Sequence, residues 1–317
     1  MSNLSDRPQI GVSACLAKQA VRFDGGFIAN KFVNDECSSF FDIHTVCPEV
    51  EMGLGIPRPV IQLRDFEGEI RLVYSKNPEK QITNTMREFS ERRIKCLPPL
   101  DGYIFKKDSP SCGVFNVPVK NNKSGMRKRN GTGIFAQEFK NKHPNVPTED
   151  EGRLNDKPIR ENFLERIYAH YRWRQIAQAD NPVASFREYH KNYKLILMAK
   201  DNRAYRQLGR IAASVNKDNF SEVSEQYFSL FMQAMTRIPS HGHHVNVMMH
   251  ILGYLKDQLS KKDKVELLEW FETYRQDRVA RVTPMMLLQH HFNTHENEYI
   301  AEQYYFSPFP SKLMLPV

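Results

Sequence analysis

The sequence has no cysteine after residue 112, no CxxC pair, no HExxH pattern, and no apolar run approaching the roughly 20 residues needed to span a bilayer. It has no internal repeat or low-complexity tract. The N-terminus, MSNLSDRPQIGVSAC, lacks the basic stretch followed by an apolar run that marks an export signal. These absences argue against a compact zinc site, a membrane protein and a secreted scaffold. An odd total of five cysteines also argues against a disulfide framework, which leaves ligation or catalysis as the use of the thiols. A cytoplasmic protein is expected.

What is present is a chain of 317 residues, 40% hydrophobic, enough to give each of two domains a buried core. A formal charge of +8 favours a polyanionic partner, whether RNA, DNA or anionic lipid. In the first half, QIGVSA, DIHTVC, RLVYS and DGYIFK read as strands, and NDECSSFF and TNTMREFSERRIK read as helices. That alternation predicts an α/β domain over residues 1–155, Rossmann-like with a mainly parallel sheet. From there helical periodicity takes over, in residues 160–179, 183–200, 203–215, 221–236, 244–259 and 264–281. An all-helical domain over residues 156–317 is expected, joined through the polar stretch PTEDEGRLNDKP.

Ligands of open parallel sheets sit outside the carboxyl ends of the strands. Cys15 closes QIGVSAC, Cys47 closes DIHTVC, and Cys112 follows DGYIFK through the turn DSPSC, so all three are expected at that edge. Iron–sulfur clusters are bound by thiolates, and three cysteines on a four-iron cluster leave one iron without a protein ligand. The alternative is that the three are small buried hydrophobes. Cys47 is followed by Pro48 and Glu49, and Cys112 is preceded by Ser109 and Ser111, which supply a proton-transfer carboxylate and hydroxyls beside the thiolates. Ser13, beside Cys15, and Ser111 are further candidate substrate contacts. Cys37 and Cys96 fall on predicted helices without such neighbours and read as structural.

The segment VKNNKSGMRKRNGTG carries Lys120, Lys123, Arg127, Lys128 and Arg129 among glycines and reads as a loop, either solvated or contacting phosphate. The FAQEFK that follows predicts a helix whose N-terminus favours anions. In the second half, Tyr168, Tyr171, Trp173, Tyr189 and Tyr193 interleave with Arg172, Arg174, His190, Lys191 and Lys194, a pattern that suits base stacking and equally suits core packing. The histidines of HGHHVNVMMH and QHHFNTH match no metal-ligand pattern and read as capping or packing groups.

Four ordered segments, SACLAKQAVRFDGG, CPEVEMGLGIPR, DGYIFKKDSPSCG and GTGIFAQEFKNKHPNVPTEDEGRL, resemble the successive motifs of the TudS-type thiouracil desulfidase family. The resemblance implies a [4Fe-4S] cluster held by Cys15, Cys47 and Cys112 with one iron free of protein ligands, and a catalytic part for Glu49 and Ser109. One departure is Ala17–Gln19, where a glycine commonly follows the first cysteine. YHKNYKLILMA, YRQLGRIAA, HHVNVMMHILGYLK and EQYYFSPFPSKLML are similar to the YbgA-type helical domain often fused to such desulfidases. Fused forms are associated with 4-thiouridine in tRNA, so the resemblance implies a desulfidase acting on thiolated tRNA to give uridine and hydrogen sulfide. The alternatives are a desulfidase of free thiouracil or thiouridine monophosphate, and a non-catalytic nucleic-acid-binding or redox-sensing iron–sulfur protein.

Overall fold

The computed structural model describes residues 7–313, so the last residues of EQYYFSPFPSKLML, Met314 and Leu315, lie outside the described residues. The chain forms two compact units that divide after Tyr171. In the first, β1 (Gln9–Ser13), β2 (Asp42–Val46), β5 (Gly102–Phe105) and β8 (Thr148–Asp150) make a sheet in the order β2-β1-β5-β8. All of its pairings are parallel. β1 and β5 are buried at every position, as expected of strands covered on both faces. Gly11 is required where it stands: a Cβ there would lie 2.2 Å from Cδ2 of Tyr103 on the adjacent strand. Tyr103 in turn stacks on Phe105 at 4.0 Å between centroids and packs edge-on against Phe139.

A second sheet, not foreseen from the sequence, has the order β4-β3-β6-β7, formed by β3 (Ile61–Phe66), β4 (Glu69–Tyr74), β6 (Val117–Asn121) and β7 (Arg127–Gly131). RLVYS therefore belongs to a strand antiparallel to β3 and not to the parallel sheet. The expected loop VKNNKSGMRKRNGTG is in fact the β6/β7 hairpin. Four of the five residues of β7 are exposed, so it carries charge where alternation would otherwise mark a strand. Such charge is typical of a sheet edge.

The first unit also contains α1 (Ser38–Phe40), α2 (Pro48–Glu51), α3 (Thr83–Lys95) and α4 (Ile134–Lys142). It closes with most of α5 (Lys157–Ile176), and this moves the division beyond the expected Asn155. The ring of Tyr168 lies 5.8 Å from that of Phe41, and His170 Nδ1 lies 3.0 Å from Asp101 Oδ1. A Cβ on Gly102 would meet Ile167 at 2.7 Å. These contacts hold the helix against the parallel sheet.

The second unit is helical, with α6 (Pro182–Lys200), α7 (Asn202–Ser214), α8 (Phe220–Met235), α9 (His241–Gly253), α10 (Lys261–Arg275), α11 (Val282–Thr294) and α12 (Glu298–Ala301). Ser240 and Ser260 cap α9 and α10, the latter with a reciprocal bond to Asp263, so both helices start about a turn earlier than their apolar pattern. The aromatic residues singled out there from the sequence, Trp173, Tyr189 and Tyr193, pack in its core. Trp173 stacks on Tyr227 and Phe228 at 5.5 and 4.6 Å, and Tyr189 and Tyr193 are buried, so these rings are not free to stack on bases. Among the described residues no helix is long and apolar enough to cross a membrane.

Two buried histidines tie this unit to pH. His190 bonds Tyr227 Oη at 3.0 Å and His244 bonds Tyr305 Oη at 2.8 Å. Burial lowers the pKa of His190 to about 4 and that of His244 to about 2, the latter helped by Arg281. In acid the unfolded imidazoles take up protons below about pH 6.5 while the folded ones stay neutral, so acidification favours the unfolded state. Each histidine is expected to cost about 2 kcal/mol of stability between pH 7 and pH 5. Denaturant melts of wild type and His190→Gln at the two pH values check this; an equal loss in both proteins would contradict it.

Candidate functional site

The carboxyl ends of β1, β2 and β5 lie side by side, and the chain leaves each by a different tight turn. After β1 it enters a 3₁₀ turn, Ala14–Leu16, which carries Cys15. After β2, Cys47 caps α2, with Pro48 at the first helical position and the Cys47 N–H donating to Glu51 Oε1 at 2.8 Å. After β5, Asp108 takes a positive φ of 60° and the SPSC turn follows. Ser109 Oγ accepts from the N–H groups of Ser111 and Cys112 at 3.2 and 3.0 Å, which fixes the turn. At the departure noted after Cys15, Lys18 adopts a φ of 59°, a conformation that glycine takes more readily and that costs a non-glycine residue about 1 kcal/mol.

The SPSC turn rests on the start of α4. A Cβ on Gly133 would lie 2.5 Å from the Ser111 carbonyl, so the close approach needs glycine. Ile134 N–H donates to the Pro110 carbonyl and Ala136 N–H to that of Ser111, at 3.2 Å each. These two leading N–H groups are therefore satisfied by the turn and are not available to an anion.

Cys15, Cys47 and Cys112 together line one cavity of about 310 Å³, with Ser13, Glu49, Arg58, Lys106 and Ser109 also in its wall. Glu49 is held at both oxygens: Arg58 Nε donates to Oε2 at 2.7 Å, and Ser111 Oγ donates to Oε1 at 2.9 Å. Arg58 also donates to the Val21 carbonyl at 2.9 Å, and its side chain is only 4% exposed. Sequence reasoning missed Arg58, although it ends the CPEVEMGLGIPR motif; a single arginine between two prolines, IPRP, was its only signal. Ser111, named from the sequence as a substrate contact, is instead fully buried behind Glu49. Ser13 Oγ accepts from Lys106 N–H at 3.0 Å and stabilises the Cys112 thiolate by a hydrogen bond.

Burial pushes the Cys15 thiol up to about 11, with Lys106 opposing and Cys47 reinforcing the shift. Cys47 and Cys112 are raised too, chiefly by burial, and for Cys112 the charges of Glu49, Cys47 and Cys15 add to it. Three thiols that hinder one another's ionisation in a desolvated wall need positive charge between them to become thiolates. Among the described residues no three His, Cys, Asp or Glu side chains form a site for a single metal ion. Three cysteine thiols in the wall of one cavity are the donor type that iron–sulfur clusters take, so this donor set fits such a cluster. Cys37 is buried elsewhere in the core, and Cys96, expected to be structural, is exposed at the end of α3; neither lines the cavity.

The basic residues of the β6/β7 hairpin separate by position. Lys123 pairs with Glu67 and Arg129 with Asp108. Lys120 and Arg127 line a second cavity, whereas Lys128 lines neither.

Residues 10–151 match the family model of 2-thiouracil desulfurase, and residues 194–310 match DUF1722, a family of unknown function. An uncharacterized protein YbgA of Escherichia coli (strain K12) is 23% identical over 163 residues, covering 51% of this chain and 96% of its own length. A solved [4Fe-4S]-dependent thiouracil desulfidase, TudS, aligns at 26% identity with a TM-score of 0.37, over 47% of this chain and 94% of its own.

Proposed function

From the match of residues 10–151 to the 2-thiouracil desulfurase model and of residues 194–310 to DUF1722, we propose that the protein is a [4Fe-4S]-dependent desulfidase that converts 4-thiouridine in tRNA to uridine. The convergence of Cys15, Cys47 and Cys112 with Glu49 in one cavity carries the chemical part of this reading. The fused helical domain and the net charge of +8 support a polynucleotide substrate.

The reaction is C=S plus water giving C=O plus hydrogen sulfide, with no net electron transfer. Cys15, Cys47 and Cys112 would hold the cluster as thiolates, and it would supply Lewis acidity toward the thiocarbonyl sulfur. Water forms the new bond to the ring carbon as the carbon–sulfur bond breaks. Glu49 takes the proton of the attacking water through the lone pairs that Arg58 and Ser111 leave open, and those two partners fix the carboxylate's direction. Ser109, whose oxygen already accepts two N–H bonds, has its hydroxyl proton left to donate to the polar edge of the base. The apolar wall, including Val21, Val46 and Val60, limits water around the reacting carbon.

The family description favours a second reading, in which free thiouracil or thiouridine monophosphate is the substrate. A cavity of about 310 Å³ accepts a base in either case. The test is anaerobic reconstitution with iron and sulfide, then assay of sulfide release and nucleoside content with thiolated tRNA, thiouracil and thiouridine monophosphate. Loss of 4-thiouridine with matching sulfide is expected. A fully reconstituted protein inert toward tRNA but active on the small substrates would establish the second reading, and one inert toward all three would refute both.

A further inference from the structure

Beside the cysteine cavity, and sharing with it Arg58, Val60, Ile61, Asp108 and Pro110, lies a larger trough of about 1070 Å³. Its wall carries Lys76 and Lys80, from the turn that follows β4, and Lys120 and Arg127, from the β6/β7 hairpin. Among the described residues none of these four forms an ion pair. The carboxylate in the trough wall is that of Asp108, and Arg129 already neutralises it. Arg58, at the boundary between the two cavities, is held by Glu49. The trough is therefore a run of uncompensated positive charge that leads away from the thiols.

We propose that this trough holds the phosphodiester backbone flanking the thiolated nucleotide, so that the desulfidase domain itself grips the RNA strand while a single base enters the cysteine cavity. The proposal deepens the reading given above and rests on it for the identity of the base. Chemistry within a walled cavity of base size requires the nucleotide to leave its stack, which turns the neighbouring phosphates toward whatever surface surrounds the cavity mouth. Here that surface is the second sheet with its adjoining turn, and a groove lined by several cations suits a phosphodiester backbone. A free base would leave the trough empty, and a mononucleotide would bring one phosphate to a wall with four cations.

The test uses the full-length reconstituted protein and two double variants, Lys76→Ala/Lys80→Ala and Lys120→Ala/Arg127→Ala. Binding of thiolated tRNA is followed by fluorescence anisotropy across a salt series, and sulfide release is measured with thiolated tRNA, thiouridine monophosphate and thiouracil. In each variant Kd and KM for tRNA are expected to rise about tenfold, and the salt slope to fall by roughly 0.7 for each phosphate no longer neutralised. Thiouracil turnover should be unchanged. Wild-type affinity and salt slope in both variants would overturn the proposal. So would an equal weakening toward thiouridine monophosphate, which would mean a single-phosphate pocket, or a matching loss of thiouracil turnover, which would place these side chains in the base site. Because RNA binding is read without turnover, the trough is judged even if the protein releases sulfide from none of the three substrates.

Discussion

Cys47→Ala is expected to yield a folded protein that retains no stable four-iron cluster and releases no measurable sulfide. Loss of an outer partner of a metal site already costs roughly 10–100-fold in affinity or activity, and loss of a ligand itself should exceed that. Cys47 tests the point most cleanly because it is only partly buried and the hydrogen bond of its thiol to the Val21 carbonyl is long, at 3.8 Å. The N–H that caps α2 through Glu51 survives the substitution, and Arg93 continues to hold the other oxygen of Glu51 at 2.6 Å. Cys112, by contrast, belongs to the core cluster that includes Tyr103, Phe105 and Phe135, so its replacement mixes removal of a ligand with a packing defect. Iron and sulfide content after anaerobic reconstitution, together with far-UV circular dichroism, separates the two effects. Cys96→Ala is the control: exposed and away from the cavity, it should leave cluster content and turnover as in wild type. A Cys47→Ala protein with full iron content and wild-type turnover would remove Cys47 from the ligand set and leave Cys15 and Cys112 in need of another partner.

The parts of the fold that were legible in the sequence are those where burial is uniform. QIGVS and GYIF are buried throughout, so their apolar runs had to be central strands, and cysteines just beyond such strands had to meet at one edge of the sheet. Structures whose stability comes from contacts remote in sequence were not legible. β7 reads RKRNG and looks like a loop because its cations face solvent or the trough; only pairing with β6 makes it a strand. The rings of Trp173 and Tyr193 carried a pattern common to core and to base-stacking surfaces, and it took the rings of α8 and Tyr304 to decide for core. Arg58 had no period or spacing to betray it, because its role is defined by the carboxylate of Glu49 on α2 and the carbonyls of Val21 and Gly55. Lys76 and Lys80 escaped notice for the opposite reason, since SKNPEK has the composition of any exposed turn and gains meaning only from the hairpin across the trough.

Glu49→Gln separates holding the cluster from using it. The amide keeps the shape of the side chain: its oxygen can accept from Arg58 Nε, and its NH₂ can donate to Ser111 Oγ, which becomes an acceptor by turning its hydroxyl. The buried guanidinium of Arg58 loses its charge partner but keeps the carbonyls of Val21 and Gly55, so the protein should fold and reconstitute with full iron content. What disappears is a group able to take a proton from water. General base catalysis is typically worth 10²–10⁴-fold, and kcat for sulfide release is expected to fall by about that factor while KM changes little. Ser111→Ala serves as the companion measurement. It removes one of two bonds that orient the carboxylate without removing the carboxylate, so its loss in kcat should be much smaller, about tenfold or less. If Glu49→Gln kept wild-type kcat with a full cluster, removal of the water's proton would not depend on Glu49, and the carboxylate would be left as the counter-charge of the buried Arg58.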